Sequence, residues 1–322
     1  MRFLLRIFIV LLVLVVMGLG ALRLAAHLRE TDDASSSPGI GGFVQTEYGR
    51  IYAITMGPET GDPVLLIHGS VGWSGTWVHT LERLAEAGYR ATAIDVPPMG
   101  YSDRPEGADY GRAASAARIL AVMDALGVSP HIVAHSFGAG AAVEAVMQQP
   151  DMAQSLTIIA GALPLDPDGS ASLPAPLRPA WLREVVVSAS VTNPLVARPL
   201  LQAFLHRDAA ATDEVLATLS QPATQDGATE ALAHWLPTLL IPPVGLPSVS
   251  SQAYREFSLP VALIWGAEDT TTPLSQGQNL AELIPEARLT VLPDVGHIPM
   301  IEDAEAFDAA LLAVLGALVE AR

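Results

Sequence analysis

The sequence predicts an α/β fold: a mostly parallel eight-stranded sheet with helices on both faces, a helical insertion, and an N-terminal membrane helix. Three observations predict it. Short Val, Ile and Leu runs alternate with helix-like stretches over residues 43–161 and again over 259–322. Such alternation needs crossover connections, and crossovers make strands parallel. Between Gly161 and Leu259 the alternation stops, and a Pro- and Ala-rich stretch carries only helix signals, so residues 162–258 read as an insertion. Ahead of all this, an uninterrupted apolar run fills Ile7 to Leu22.

That run comes first in the chain. Arg2 and Arg6 precede it, and Arg23 and Arg29 follow. With the arginines reaching outward, Phe3 to Leu24 gives roughly 20 residues, enough to span a bilayer. Residues 1–24 are therefore expected to be a single-pass anchor in membrane lipid. A cleaved secretory signal is the second reading and would make the protein secreted or periplasmic. Its apolar region is usually only about 7–15 residues, and Gly18-Leu19-Gly20 supplies the small-x-small site it needs. A buried helix is the third. Two arginines flank each side, so the positive-inside count assigns no side of the membrane. Residues 25–42, with Asp, Ser, Gly and Pro concentrated from Glu30 onward, read as a linker. On that reading the enzyme core stands without residues 1–33.

Phe43–Tyr48 and Ile51–Thr55 alternate around Gly49-Arg50, the sign of an antiparallel hairpin. Then follow strand Val64–His68, helix near Ser74–Ala87, strand Arg90–Asp95, helix near Arg112–Leu126, strand Ile132–His135, a helix to about Gln148, and strand Leu156–Ala160. The insertion carries helix-like stretches near Trp181–Ser190, Pro194–His206, Asp213–Leu219 and Glu230–Leu239. Strands Val261–Trp265 and Arg288–Leu292 and a last amphipathic helix from Ala304 to about Val319 complete the chain. Glu302 and Asp303 stand where negative charge favours the start of that helix.

Composition narrows the function. A formal charge of −17 and a pI near 4.7 repel phosphate backbones and argue against nucleic acid. The absence of cysteine excludes disulfides, thiolate metal sites and a cysteine nucleophile. No His and carboxylate set has metal-ligand spacing, and no G-x-G-x-x-G follows a strand, so neither metal nor nucleotide cofactor is expected.

The chemistry gathers at strand ends. Ser136 sits in Ala134-His135-Ser136-Phe137-Gly138, where an apolar strand meets a helix opened by small residues. A serine at such a sharp turn projects its hydroxyl from the sheet edge. It needs a base, and the base needs an orienting acid. Asp269 lies in the loop after Val261–Trp265, with Glu268 beside it as a rival carboxylate, and His297 lies in the loop after Arg288–Leu292. The order Ser, acid, His, each after a strand, is far more specific than the elbow alone. His68, His135 and Asp95 flank these loops and are expected to pack or to hold turns.

Taken together these motifs resemble the α/β-hydrolase family, from about Phe43 to the C-terminus. Leu65-Leu66-Ile67-His68-Gly69-Ser70 is similar to the family's His-Gly oxyanion loop. Asp95-Val96-Pro97-Pro98-Met99-Gly100-Tyr101-Ser102-Asp103-Arg104-Pro105 is similar to its D-x-P-G-x-G-x-S loop, with Pro98 where glycine is usual. The resemblance implies Ser136 as nucleophile, Asp269 as acid, His297 as base, and the backbone N–H groups of Ser70 and Phe137 as oxyanion donors. It also makes residues 162–258 a cap over the elbow, between core parts 43–161 and 259–322, with Trp181, Phe204, Trp235 and Met152 as candidates for an apolar pocket wall. The expected activity is hydrolysis of a carboxylic ester or related acyl bond in a small, apolar substrate. A carbon–carbon bond hydrolase with the same triad and a non-catalytic ligand-binding protein of the same fold are the alternatives.

Overall fold

The computed structural model describes residues 17–32 and 37–320. Its centre is one eight-stranded sheet: β1 (Gly42–Thr46), β2 (Gly49–Met56), β3 (Pro63–Ile67), β4 (Arg90–Ile94), β5 (His131–His135), β6 (Ser155–Ile159), β7 (Val261–Gly266) and β8 (Arg288–Leu292). The spatial order is β1-β2-β4-β3-β5-β6-β7-β8, antiparallel at β1–β2 and β2–β4 and parallel elsewhere. The central strands β5, β6 and β7 are buried along their whole length. That is why they read as continuous apolar runs rather than as alternation.

Helices cover both faces: α2 (Val78–Glu86), α3 (Arg112–Leu126), α4 (Ser136–Gln148), α10 (Leu274–Leu283), α11 (Pro299–Glu302) and α12 (Ala304–Glu320). The expected helix at Ser74–Ala87 is two pieces, a 3-10 turn over Ser74–Trp77 and then α2. One large core joins the sheet to these helices, with Trp77, Trp265, Tyr52 and Phe307 fully buried in it.

The insertion is all helical among its regular elements: α5 (Ala180–Ala189), α6 (Ala197–Gln202), α7 (Asp213–Ser220), α8 (Ala228–Leu240) and α9 (Ser251–Arg255), with short 3-10 turns between. Its own small core, built on Val187, Leu232 and Trp235, also takes in Met99 and Tyr110 and packs against Phe137, the residue after the elbow serine. The cap is therefore seated on the elbow.

A first helix, α1, is described over residues 17–29. No described helix is long and apolar enough to cross a membrane, and residues 7–16 of the apolar run lie outside the described residues. The linker expected over 25–42 is not free where it is described. Ala26 and Glu30 are buried, Asp32 forms a β-bridge with Gln225, and Thr229 N–H donates to Glu30 Oε1 at 2.9 Å. Polar composition suggested a solvated tether; these polar groups instead find backbone partners on the cap.

Candidate active site

Register brings the four loops to one edge. Ile67 pairs with Ala134, Ala134 with Ile158, Ile158 with Leu263, and Gly266 with Leu292. The loops after β3, β5, β7 and β8 thus leave the sheet side by side, carrying Ser70, Ser136, Asp269 and His297.

Ser136 has φ +50°, a left-handed conformation that a non-glycine residue holds only when its surroundings impose it. The surroundings are tight. A Cβ at Gly138 would lie 2.2 Å from the His68 carbonyl oxygen, so only glycine lets α4 start this close to β3. Ala134 sits fully buried in β5, where its methyl is accommodated.

The three side chains form a connected chain. His297 Nε2 is 2.8 Å from Ser136 Oγ, and His297 Nδ1 is 2.8 Å from Asp269 Oδ2. A carboxylate only accepts, so Nδ1 carries the proton and Nε2 is left to accept from the serine hydroxyl. Asp269 Oδ1 accepts from the N–H groups of Thr271 and Thr272 at 2.8 and 2.9 Å. Burial by itself would raise the Asp269 pKa. The His297 bond and charge and the Thr272 donors outweigh it and hold the carboxyl below its usual value. The rival Glu268 is exposed and does not bond to His297.

Thr272, which the sequence analysis did not single out, belongs to the same network. Its Oγ1 lies 2.8 Å from Asp269 Oδ2 and 3.0 Å from the Ala160 carbonyl, with one proton to give to either. The available signal was the Asp-x-x-Thr spacing, which lets a side chain close a turn on itself.

The flanking histidines are structural, and each has a defined tautomer. His68 Nδ1 donates to Gly69 O at 2.8 Å while Nε2 accepts from Val96 N–H at 2.9 Å, tying the Ser70 loop to the loop after β4. His135 Nε2 donates to the His297 carbonyl at 2.9 Å and so fixes the base loop against β5. Burial pushes His68 down to about 4 and His135 down to about 3, so both are neutral at pH 7. Asp95 holds two turns, accepting from Ser74 N–H at 2.5 Å and Tyr101 N–H at 2.7 Å, and burial raises its pKa to about 6.

Neither proposed oxyanion amide is committed elsewhere. Phe137 N–H lies in the first turn of α4, where no intrahelical acceptor exists. Ser70 N–H makes no backbone bond, and the next residue, Val71, has φ +61°, a rare conformation for a β-branched side chain.

Two pocket candidates are corrected. Met152 lies beyond the far end of α4, whose 13 residues span about 20 Å from Ser136, and it packs into the main core. Trp181 is 63% exposed on the cap's outside. By contrast, Trp235 packs edge-on against Phe137 with ring centroids 5.3 Å apart, and the Phe204 ring lies 6.0 Å from His297.

The expected role of Glu302 is also corrected. Its buried carboxylate accepts from Gly296 N–H at 3.0 Å, His206 N–H at 3.0 Å and Arg207 N–H at 2.8 Å. His297 N–H in turn donates to Phe204 O at 2.9 Å. Glu302 therefore fastens the cap to the base loop, and Asp303 alone caps α12 through Ala306 N–H at 3.1 Å.

A second serine–histidine–aspartate set, Ser155, His131 and Asp62, lies at the opposite sheet edge. There Nδ1 faces the serine and Nε2 the acid, and Ser155 is sealed in the core, so it braces strand starts. Among the described residues no group of His, Asp and Glu is arranged to hold a metal.

A small cavity of about 40 Å³ lies between the Val71-Gly72 turn, the Pro98–Arg104 loop and the cap. Its walls are largely apolar, with Met99, Val191 and Leu232 among them. Arg104 is its one formal charge among the described residues. The Arg104 guanidinium donates to the carbonyls of Pro98, Gly100 and Asp226, and it feels the charges of Asp95 and Glu30.

Comparison with known proteins matches the profile described as alpha/beta hydrolase fold to residues 62–304. The chain is 31% identical over 259 residues to a 2-hydroxymuconate semialdehyde hydrolase of Pseudomonas putida, covering 77% of this chain and 84% of that protein. It is 26% identical over 255 residues to Lipase 3 of a Moraxella species, covering 76% of this chain and 74% of the relative. Among solved structures, a membrane phospholipase A described as a bacterial virulence factor superposes with a TM-score of 0.69 at 23% identity, covering 98% of each chain.

Proposed function

The chain belongs to the α/β-hydrolase family, and from that premise we propose that it is a serine hydrolase whose first candidate reaction is cleavage of a carbon–carbon bond beside a carbonyl group. The observation that carries the proposal is the unbroken Ser136–His297–Asp269 chain at 2.8 Å per link. It makes a serine nucleophile available, and a binding protein has no use for it. The carbon–carbon reading is supported by the 2-hydroxymuconate semialdehyde hydrolase relative. The positive charge of Arg104 on the cavity wall would also draw an anionic substrate toward it.

In this mechanism His297 Nε2 takes the Ser136 proton as Oγ attacks the substrate carbonyl. The N–H groups of Ser70 and Phe137 stabilise the oxyanion. With the substrate in its keto tautomer, collapse breaks the carbon–carbon bond, the electron pair passes into the conjugated enolate, and the proton on His297 is delivered to that enolate. Water, activated by the same imidazole, then releases the acyl group as a carboxylic acid. Asp269 holds the tautomer throughout.

The ester reading expected from the sequence stands second, supported by the lipase relative and by the apolar walls around Met99, Val191 and Leu232. The first step is identical; the leaving group is an alkoxide. Membrane attachment through residues 1–24 belongs to the proposal too. Its support is the length of the apolar run and the membrane phospholipase A, whose match covers 98% of this chain.

One experiment ranks the two reactions. Purified protein is given 2-hydroxymuconate semialdehyde and, separately, a p-nitrophenyl ester, with Ser136→Ala as control. A kcat/KM at least about tenfold higher for the carbon–carbon substrate, worth about 1.4 kcal/mol of transition-state binding, supports the first reading. The reverse ratio moves the assignment to an esterase, and turnover of either substrate by Ser136→Ala sinks the shared mechanism.

A further inference from the structure

Helix α1 and the segment joining it to the hydrolase core grip the cap. Arg23 Nε donates to Glu184 on α5 at 2.8 Å, and Arg29 Nη2 donates to the Thr192 carbonyl at 2.9 Å. Asp32 N–H donates to Thr224 O at 3.1 Å, Asp226 N–H donates to Asp32 O at 3.0 Å, and Thr224 Oγ1 donates to the Asp32 carboxylate. Glu30 makes the most telling contact. Helix α8 begins after Gly227, at φ +70° and with no side chain to offer its first amides. Glu30 Oε1 accepts one of them, Thr229 N–H, and so caps α8 from 199 residues away.

The parts of the cap held in this way are the parts that wall the cavity. Thr192, Pro222, Ala223 and Ala228 line it, and each is in or next to a stretch that Arg29, Glu30 or Asp32 binds. The opposite wall, Val71 and Gly72, directly follows the oxyanion residue Ser70. A change in how α8 begins is therefore a change in the room beside the Val71-Gly72 turn, next in the chain to Ser70.

We propose that Glu30 and Asp32, which lie outside the hydrolase core, are positioning residues that set the size of the group the pocket accepts. The inference rests on Ser136 being the nucleophile, but not on which bond is cleaved. Without Glu30, the first turn of α8 loses its cap, the wall at Ala228 loosens, and longer groups enter.

Alkyl fluorophosphonates test this because they report on Ser136 whatever the natural leaving group. In the full chain, the labelling rate of a decyl probe is divided by that of an ethyl probe. Glu30→Ala should raise this ratio by about threefold or more, the effect of losing part of one hydrogen bond. Glu30→Gln keeps an acceptor oxygen and should restore the wild-type ratio. An unchanged ratio in Glu30→Ala, or equal losses with both probes, overturns the proposal. Should Glu30→Ala not fold, Asp32→Ala serves instead, since it removes the acceptor of Thr224 Oγ1: the ratio should rise in the same direction, and an unchanged ratio overturns the proposal. If wild type labels with neither probe, the nucleophile assignment has failed. Amide exchange over residues 222–232 then reads the strap alone: faster exchange in Glu30→Ala supports it, and unchanged exchange overturns it.

Discussion

At the scale of single residues, the triad makes the sharpest demands. Ser136→Ala and His297→Ala should each lower kcat by about 10⁴–10⁶ with little loss of stability, since they act as one unit. Asp269→Asn should cost about 10⁴ through the wrong imidazole tautomer, whereas Glu268→Gln, on an exposed side chain, should be nearly silent. Initial rates on whichever substrate turns over check all four. His68 and His135 predict a pH dependence of stability. Their folded pKa values, about 4 and about 3, lie below the ordinary 6.5, so both contribute stability above pH 6.5 that is lost as pH falls toward those values. Asp95 works the other way: its folded value of about 6 exceeds the ordinary 3.8, so its contribution grows as pH falls through 6. Two protons thus oppose folding just below pH 6.5, and a net of one between about pH 6 and 4, at about 1.4 kcal/mol per proton per pH unit. Urea unfolding at pH 7.5, 6 and 5 should show the decline, and His68→Gln should remove one proton from its slope. Stability that stays flat over that range would refute the buried neutral histidines.

At the scale of elements, the sheet was readable because buried parallel strands must be apolar throughout, and Val, Ile and Leu announce them. The strand expected at Ile132–His135 is β5, Leu156–Ala160 is β6, and the loops carrying Ser136, Asp269 and His297 each follow the strand expected before them. Helix α10 went unread because Gly277 interrupts its pattern. That glycine exists for packing, since a Cβ there would come within 2.8 Å of the Trp265 ring. The role of Glu302 was unreadable for a different reason. A carboxylate just before a helix looks the same in sequence whether it serves the helix dipole or reaches three amides on other elements. The second role makes a prediction about cap docking. Glu302→Ala strands the Gly296, His206 and Arg207 amides and should destabilise the fold by about 2–4 kcal/mol. It should also lower kcat, because Gly296 leads directly into His297. Glu302→Gln retains one acceptor and should lose less of both. If urea midpoint and kcat are unmoved in Glu302→Ala, the clasp does not hold the base loop.

At the scale of the whole molecule, two proposals meet in the N-terminal region that the sequence presents as separate, membrane attachment and control of the pocket. A polar stretch after an apolar run reads as a tether, and a tether could be removed without consequence. The contacts of Arg29, Glu30 and Asp32 with the cap require a different outcome, and two truncations separate the functions. Removing residues 1–16 takes away most of the apolar run but leaves α1 and the strap. This form should leave the membrane fraction, if the run is an anchor, while keeping the full chain's ratio of long-probe to short-probe labelling. Removing residues 1–32 also takes the strap and should shift that ratio as Glu30→Ala does, by about threefold or more. Full-length protein should meanwhile sediment with membranes and resist alkaline carbonate, since each apolar residue of a spanning helix contributes about 0.3–0.6 kcal/mol on insertion. N-terminal sequencing of the mature chain decides whether that test reads an anchor at all. A start just after Ala21 would mean a cleaved signal, yet it would leave Arg23 to Asp32 in place, and the strap would have to act in a secreted protein. Identical labelling ratios for the two truncations would show that residues 17–32 contribute nothing to the pocket and would return them to the role of a tether.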